Sequence, residues 1–155
     1  MPLHSVFITN RGGALLLSKY FLHSITTEER AVWEQQLFRA TRFGWENAAD
    51  GSTQIATLRG QYVVYLGFGG MLLFLAGSDE YDEVTLATIG AALVDVIVRL
   101  CEAKDASSLG DAQILSVHGK ICVAVEEMVN EGTLEHLDAD TILKMSKLKA
   151  QEVGD

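Results

Sequence analysis

The residues with chemical potential in this sequence are four histidines, two cysteines, a Ser/His neighbour pair and a few paired carboxylates. His4, His23, His118 and His136 stand apart, and none is expected to pair at i, i+4 with another ligand, the spacing that places two metal ligands on one helix face. Ser116 precedes His118 by two residues, but no Gly-x-Ser-x-Gly elbow accompanies them, which makes His118 a surface histidine rather than a general base. Glu126-Glu127 and Asp138/Asp140 are carboxylate pairs. Neighbouring helical residues point in different directions, so Glu126-Glu127 reads as a solvated face rather than an acid/base couple. Gly67-Phe68-Gly69-Gly70 is glycine-rich, but a phosphate loop needs Gly-Lys-Ser/Thr opening a helix, and this turn leads into the strand-like MLLFLA. Trp33, Trp45 and the aromatics between Tyr62 and Phe74 lack interleaved Lys or Arg, so they read as core and not as a base-stacking platform. Cys101 and Cys122 form no Cys-x-x-Cys spacing and are expected to be small buried thiols in a reducing compartment. The sequence predicts no catalytic set, no metal and no cofactor.

The composition defines the setting. The chain has 155 residues, 48% hydrophobic and 21% charged, with one proline. This suits one compact domain over 1–150 with a short tail at 151–155, large enough to need no disulfide or metal staple. The net charge of −9 argues against nucleic acid or an anionic membrane as a direct partner. Residues 1–77 carry six basic against five acidic residues, and residues 78–155 carry six against sixteen. The second half therefore reads as helices with an acidic outer face, either solvated or docking a basic partner. The start, MPLHSVFITNRGG, shows no secretory signal pattern. The run Val84–Cys101 is long and apolar, yet Asp95 and Arg99, at the spacing of a helical ion pair, mark it as a buried helix of a water-soluble domain rather than a membrane span.

The elements follow from periodicity. SVFITN (5–10) and ALLLSKYFL (14–22) flank Arg11-Gly12-Gly13 as a hairpin. Thr26 and Glu29 have capping-box spacing and open a helix with an apolar stripe of Ala31, Trp33, Leu37, Ala40 and Thr41, ending near Gly44. Ser52–Leu58 alternates weakly, as an edge strand does. YVVYL (62–66) and MLLFLA (71–76) are continuously apolar, so helices must cover both faces of the sheet. Ser78-Asp79-Glu80 is the expected start of the long helix. Lys104–Asp111 reads as a flexible loop, a further helix runs from about Ile114 to Asn130, and a last helix is capped by Asp138 or Asp140. The predicted fold is α+β, layered α/β/α, with order β-β-α-β-β-β-α-α plus a short C-terminal helix.

The long helix carries two apolar stripes. Leu86, Ile89, Leu93, Ile97 and Leu100 form one. Val84, Ala87, Ala91, Val94, Val98 and Cys101 form the other. Two stripes imply two neighbours. One is the sheet, and the second is the next helix or another protein, which makes Val84, Ala87, Ala91, Val94 and Val98 the candidate partner interface.

Three stretches carry a family pattern in one order: FITNRGGALLLSKYF, YVVYLGFGGMLLFLAGSDEYDEVTLATIGAALVDVIVRLC and KICVAVEEMVNEGTLEHLDADTILK. Over about Val6 to Leu148 the chain resembles the small longin-fold (SNARE-like) chains of vesicle coats, the coatomer zeta and clathrin-adaptor sigma subunits. Glu126–Glu135 is most similar to zeta. Sigma chains carry basic residues near positions 16, 66 and 67 for the acidic dileucine signal. Here Leu16, Leu66 and Gly67 depart from that pattern, and so does AKDASSLGDAQ after the long helix. The resemblance implies a non-enzymatic subunit bound to a large helical-repeat, gamma-type coat chain in Golgi-type transport. Other coat subunits and a small GTPase would be met indirectly, and membrane contact would be indirect from the cytoplasmic side. A sigma-type small subunit and a longin- or roadblock-type regulator of small GTPases are the alternatives the resemblance leaves open.

Overall fold

A computed structural model describes residues 3–22, 24–129 and 142–144. Its strands are β1 (Ser5–Asn10), β2 (Leu15–Tyr20), β3 (Thr53–Leu58), β4 (Gln61–Phe68) and β5 (Met71–Gly77). They form one sheet of spatial order β2-β1-β5-β4-β3, every neighbouring pair antiparallel. Helix α1 (Thr27–Thr41) follows β2, and α2 (Glu83–Leu100), α3 (Asp111–Ser116) and α4 (His118–Met128) follow β5.

The doubly apolar strands do have two covered faces. On β5, Leu72, Phe74 and Ala76 join Trp33 and Leu37 of α1 in one buried cluster. The alternate residues Met71, Leu73 and Leu75 join Leu86, Ile89 and Leu93 of α2 and Ile121 and Val125 of α4 in the other. The strand period of two thus feeds two separate cores. At the outer edge, β3 alternates exposed and half-buried residues, as the weak sequence alternation predicts. Its hairpin to β4 turns on Arg59 (φ 52°) and Gly60 (φ 79°), both left-handed, the geometry that matches strand twist in a two-residue loop.

Helix ends differ from the expectations in informative ways. Thr26 caps α1 by accepting from the Glu29 backbone N–H at 3.1 Å, as its spacing predicts. The buried stripe of α1 is Trp33, Leu37 and Thr41, a strict i, i+4 row, while Ala31 and Ala40 face solvent. The helix expected to end near Gly44 stops at Thr41, and a 3-10 turn over Arg42–Asn47 follows it. α2 starts at Glu83, not at Ser78. Asp79 is left-handed (φ 58°) and Tyr81 is fully buried, so the chain turns there, and the Asp82 carboxylate caps the helix by accepting from Thr85 N–H at 2.9 Å.

The Lys104–Asp111 stretch is no free loop. It contains a 3-10 turn at Ala106–Ser108, buries Leu109, and the Leu109 carbonyl accepts from Gly70 N–H at 3.2 Å. The helix expected from Ile114 instead begins at Asp111 and is broken at Val117 (φ −117°, ψ 18°) into α3 and α4. α4 ends at Met128. The caps proposed at Asp138 and Asp140, His23 and His136 lie outside the described residues. Ile142–Lys144 is helical, and Ile142 is buried in the α2-side core.

Two burial expectations are corrected. Glu127 is 3% exposed, because it lies on the inner face of α4 with Ala124 and Met128, whereas Glu126 faces out and pairs with Lys19 of β2. Cys101, the C-cap of α2, and Cys122 in α4 are half-buried rather than buried.

Candidate functional site: the groove between β3 and α2

Gly90 decides where α2 sits. A Cβ there would lie 2.9 Å from Leu66 Cδ2 and 3.1 Å from Leu75 Cδ1, so the helix backbone is pressed onto β4 and β5 at this point. α4 lies beside α2 within the same core. β3 lies one strand spacing, about 4.8 Å, beyond β4. Ala56 and Leu58 of β3 pack toward α1, while Thr53 and Ile55 alternate to the opposite face and line a groove with α2.

That groove has a volume of about 580 Å³ and is lined by Thr53, Ile55, Glu83, Val84, Ala87, Thr88 and Ala91. Ile55 is 59% exposed and Val84 75%. Single exposed hydrophobic residues are ordinary on protein surfaces, but two large ones facing one apolar channel are a contiguous patch. Thr88 turns its hydroxyl back to the Val84 carbonyl at 2.9 Å, which leaves its methyl group for the groove. At the N-terminal end of α2, Glu83 lines the groove, and Asp79, Glu80 and Asp82 precede it in the sequence. The Thr85 backbone N–H holds the Asp82 carboxyl below the usual carboxylate range.

The five expected interface residues divide. Val84, Ala87 and Ala91 line the groove. Val94 and Val98 follow on the same flank at i+7 but are half-buried and pack against the core. A charge at Val94 therefore disturbs folding as well as any contact. Ile55 went unnoticed in the sequence, although the alternation of TQIATL was the available signal. Exposed Phe43, at 94%, and Leu115, at 54%, lie elsewhere and carried no periodic signal.

The chemical candidates do not assemble. Ser116 Oγ donates to the Gln113 carbonyl at 2.8 Å, away from His118. His118 and Cys122 are four residues apart on α4, which corrects the expectation that no histidine has another ligand at that spacing, and Cys122 Sγ lies 3.9 Å from His118 Nδ1. Burial raises the Cys122 thiol pKa, the opposite of an activated thiolate. Among the described residues no cluster of three His, Cys, Asp or Glu could hold a metal ion. No described helix is long and apolar enough to cross a membrane. A second concavity, about 280 Å³, is lined in part by His4, Glu29, Trp33 and Arg59. There His4 Nδ1 lies 2.9 Å from Ser5 Oγ, and Trp33 Nε1 donates to that same hydroxyl oxygen at 3.2 Å.

A five-stranded antiparallel sheet covered by α1 on one face and by α2 and α4 on the other, with the outer strand covered on the α1 face and open on the α2 face, is the architecture of a longin-type adaptor small chain. The sequence profile of the clathrin adaptor complex small chain family matches residues 2–152, and the chain belongs to that family. It is 25% identical over 147 residues to the TSET complex member tstD of Dictyostelium discoideum, covering 95% of this chain and 93% of that protein. It is 22% identical over 151 residues to coatomer subunit zeta-2 of Mus musculus, covering 97% of this chain and 68% of that protein. A chain in a homology model of the full-length AP-3 complex, in a stretched open conformation, superposes with a TM-score of 0.69 at 11% identity, covering 98% of this chain and 97% of that one. The adaptor small-chain fold expected from the sequence is thereby established, and the chain is an adaptor-type small subunit.

Proposed function

We propose that this chain is a non-enzymatic small subunit of a vesicle coat, of the coatomer zeta type, bound permanently to one large helical-repeat subunit of the gamma type. Residues 1–150 act as one domain in this role, and residues 151–155 are a short tail. The observation that carries the reading is the match of residues 2–152, nearly the whole chain, to adaptor small chains. The partner surface includes Val84, Ala87, Ala91, Val94 and Val98. The complex works on the cytoplasmic side of Golgi or vesicle membranes. It meets other coat subunits, a small GTPase and the membrane only through the large chain, and it binds no nucleic acid or cofactor.

The zeta-type reading over a sigma-type one is supported at position 67. A Cβ there would lie 2.0 Å from the Ala48 carbonyl oxygen and 2.5 Å from Arg11 Nη2, so no basic side chain fits. Leu66 is buried under Gly90, and Leu16 is the extra residue of a bulge in β2. None of the three positions offers a cation to an acidic sorting signal. A second reading, a subunit of a TSET-type complex, is favoured by the 25% identity that extends over 93% of tstD.

Purification of the tagged chain from its own cells, with mass spectrometry of co-purifying chains, tests this. A stoichiometric large chain of gamma-coatomer sequence supports the zeta-type reading, and one of TSET type supports the second. Recovery of a small GTPase with no coat chain contradicts both.

A further inference from the structure

We infer that the outer edge of β3 pairs antiparallel with the same edge of a second copy while the chain is without its large partner, the two-fold axis passing through Ile55. The two edges of the sheet differ. β2 is closed off: its register shifts beside Ile8 and Thr9, Lys19 pairs with Glu126 of α4, and α3 lies against it. β3 keeps an unbroken register with β4 from Thr53 to Leu58, and on its other side it meets no strand of the described residues. TQIATL holds no proline and no charge, the two features with which exposed edges ordinarily turn another strand away. Its outward N–H and C=O groups are a template for one more strand.

The residues around the strand identify the occupant. Asp50 precedes β3 and Arg59 follows it. Antiparallel self-pairing therefore carries the acid of each copy to the end where the other copy holds its cation. Asp50 engages Gly69 N–H and Arg11 through Oδ1, and Arg59 makes no ion pair among the described residues, so both have capacity left. Centring on Ile55 sets Ile55 opposite Ile55 and Thr53 opposite Thr57, all of them exposed positions on one face of the strand. Apolar and Thr–Thr pairs directly across two strands are favourable. The surplus of acid lies in residues 78–155, whereas residues 1–77, β3 included, carry six basic against five acidic residues.

Size sets the strength. The six residues of β3 extend about 20 Å, a contact smaller than stable interfaces and in the class of transient pairs. A large chain with an obligate interface displaces such a pair. Ile55 also shares its groove with Val84, Ala87 and Ala91, the proposed surface for the large chain, so pairing and assembly exclude one another. The exclusion, unlike the pairing, rests on the small-subunit reading. The pair covers an open edge until the large chain arrives.

The test uses the full chain alone, in sedimentation velocity at rising concentration, with introduced cysteines as a gauge of register. The expected result is a reversible monomer–dimer equilibrium. Opposite residues on antiparallel strands have Cα atoms about 4.5–5.5 Å apart, within disulfide reach. Two copies of the Ile55→Cys chain are therefore expected to join at that position under mild oxidation, and Thr53→Cys is expected to join Thr57→Cys in a mixture of the two. Ile55→Lys, at a position 59% exposed, sets like charges face to face and is expected to weaken the dimer at least tenfold with unchanged circular dichroism. Arg59→Glu is expected to weaken it as well, most at low salt. A chain that stays monomeric throughout overturns the inference, as does a dimer that Ile55→Lys leaves intact or in which Ile55→Cys forms no disulfide with its counterpart. Co-expression with the large adaptor chain of the same genome is expected to give a complex without the Ile55→Cys disulfide, and a complex that carries it overturns the exclusion. If the dimer forms as described and no large chain binds, the small-subunit reading fails and the pairing stands. If the large chain binds and no dimer forms in its absence, only the pairing fails.

Discussion

The Arg11 guanidinium donates from Nη1 to the Ala48 carbonyl at 2.7 Å, tying the β1–β2 turn to the segment that enters β3. The same side chain donates from Nη2 to the Gly69 carbonyl at 3.2 Å, and Asp50 lies 3.6 Å away. One cation therefore joins three loops at one end of the sheet and fixes the outer strand that walls the groove. Arg11→Met is expected to cost about 2 kcal/mol in urea unfolding, because the carbonyls lose a charged donor. Arg11→Lys should recover less than half, since an ammonium lacks the planar fork that reaches several acceptors. A cost below about 0.5 kcal/mol for Arg11→Met would remove the guanidinium from this role.

Gly67 lies under the same carbonyl. Because a Cβ would come within 2.0 Å of Ala48 O, Gly67→Ala must push the 48–50 segment off β4. The expected loss is about 2–4 kcal/mol, with faster amide exchange across Thr53–Leu58. Unchanged stability would mean that the segment yields freely.

Glu126 and Glu127 should respond in opposite ways. Glu127 is 3% exposed, so Glu127→Gln places new amide donors in a packed interior and is expected to cost about 1–3 kcal/mol. Glu126 is exposed and pairs with Lys19 at the surface, so Glu126→Gln should change stability by less than about 1 kcal/mol. Equal small effects in chemical denaturation would restore the solvated reading of both.

His4 sets an acid-side slope. Burial lowers its pKa from the ordinary 6.5, so the unfolded chain binds this proton first as pH falls. Its contribution is complete above 6.5 and is lost below it, down to the folded-state value. The Asp82 carboxyl is shifted down from 3.8, so its contribution is lost only below that pH. His4→Asn should therefore flatten the stability profile below about pH 6.5 and leave the carboxylate limb untouched. An identical profile in the variant, measured by unfolding from pH 7.5 to 5, would show that His4 is equally basic in both states.

What was legible in the sequence depended on periodicity. β1 and β5 announced themselves as short, largely apolar runs bounded by turn residues, and α2 by its helical stripes. Helices on both faces followed from the unbroken apolar runs of β4 and β5. The start of α2 was misplaced because Ser78 and Asp82 are both good caps. The choice between them was made by burial of Tyr81, a tertiary event. Glu127 was misjudged because polar identity outweighed its place one turn after Ala124. Half of the groove was visible as the second stripe of α2. The other half, Ile55, depended on which way an edge strand faces, and that is fixed only once β3 pairs with β4.

Native mass spectrometry of the chain purified from its own cells under gentle conditions decides whether it is a bound small subunit. The expected species is a 1:1 assembly of this 16.9 kDa chain with one large helical-repeat chain. A chain that flies alone at 16.9 kDa, fully folded and with no large partner in any fraction, would contradict it.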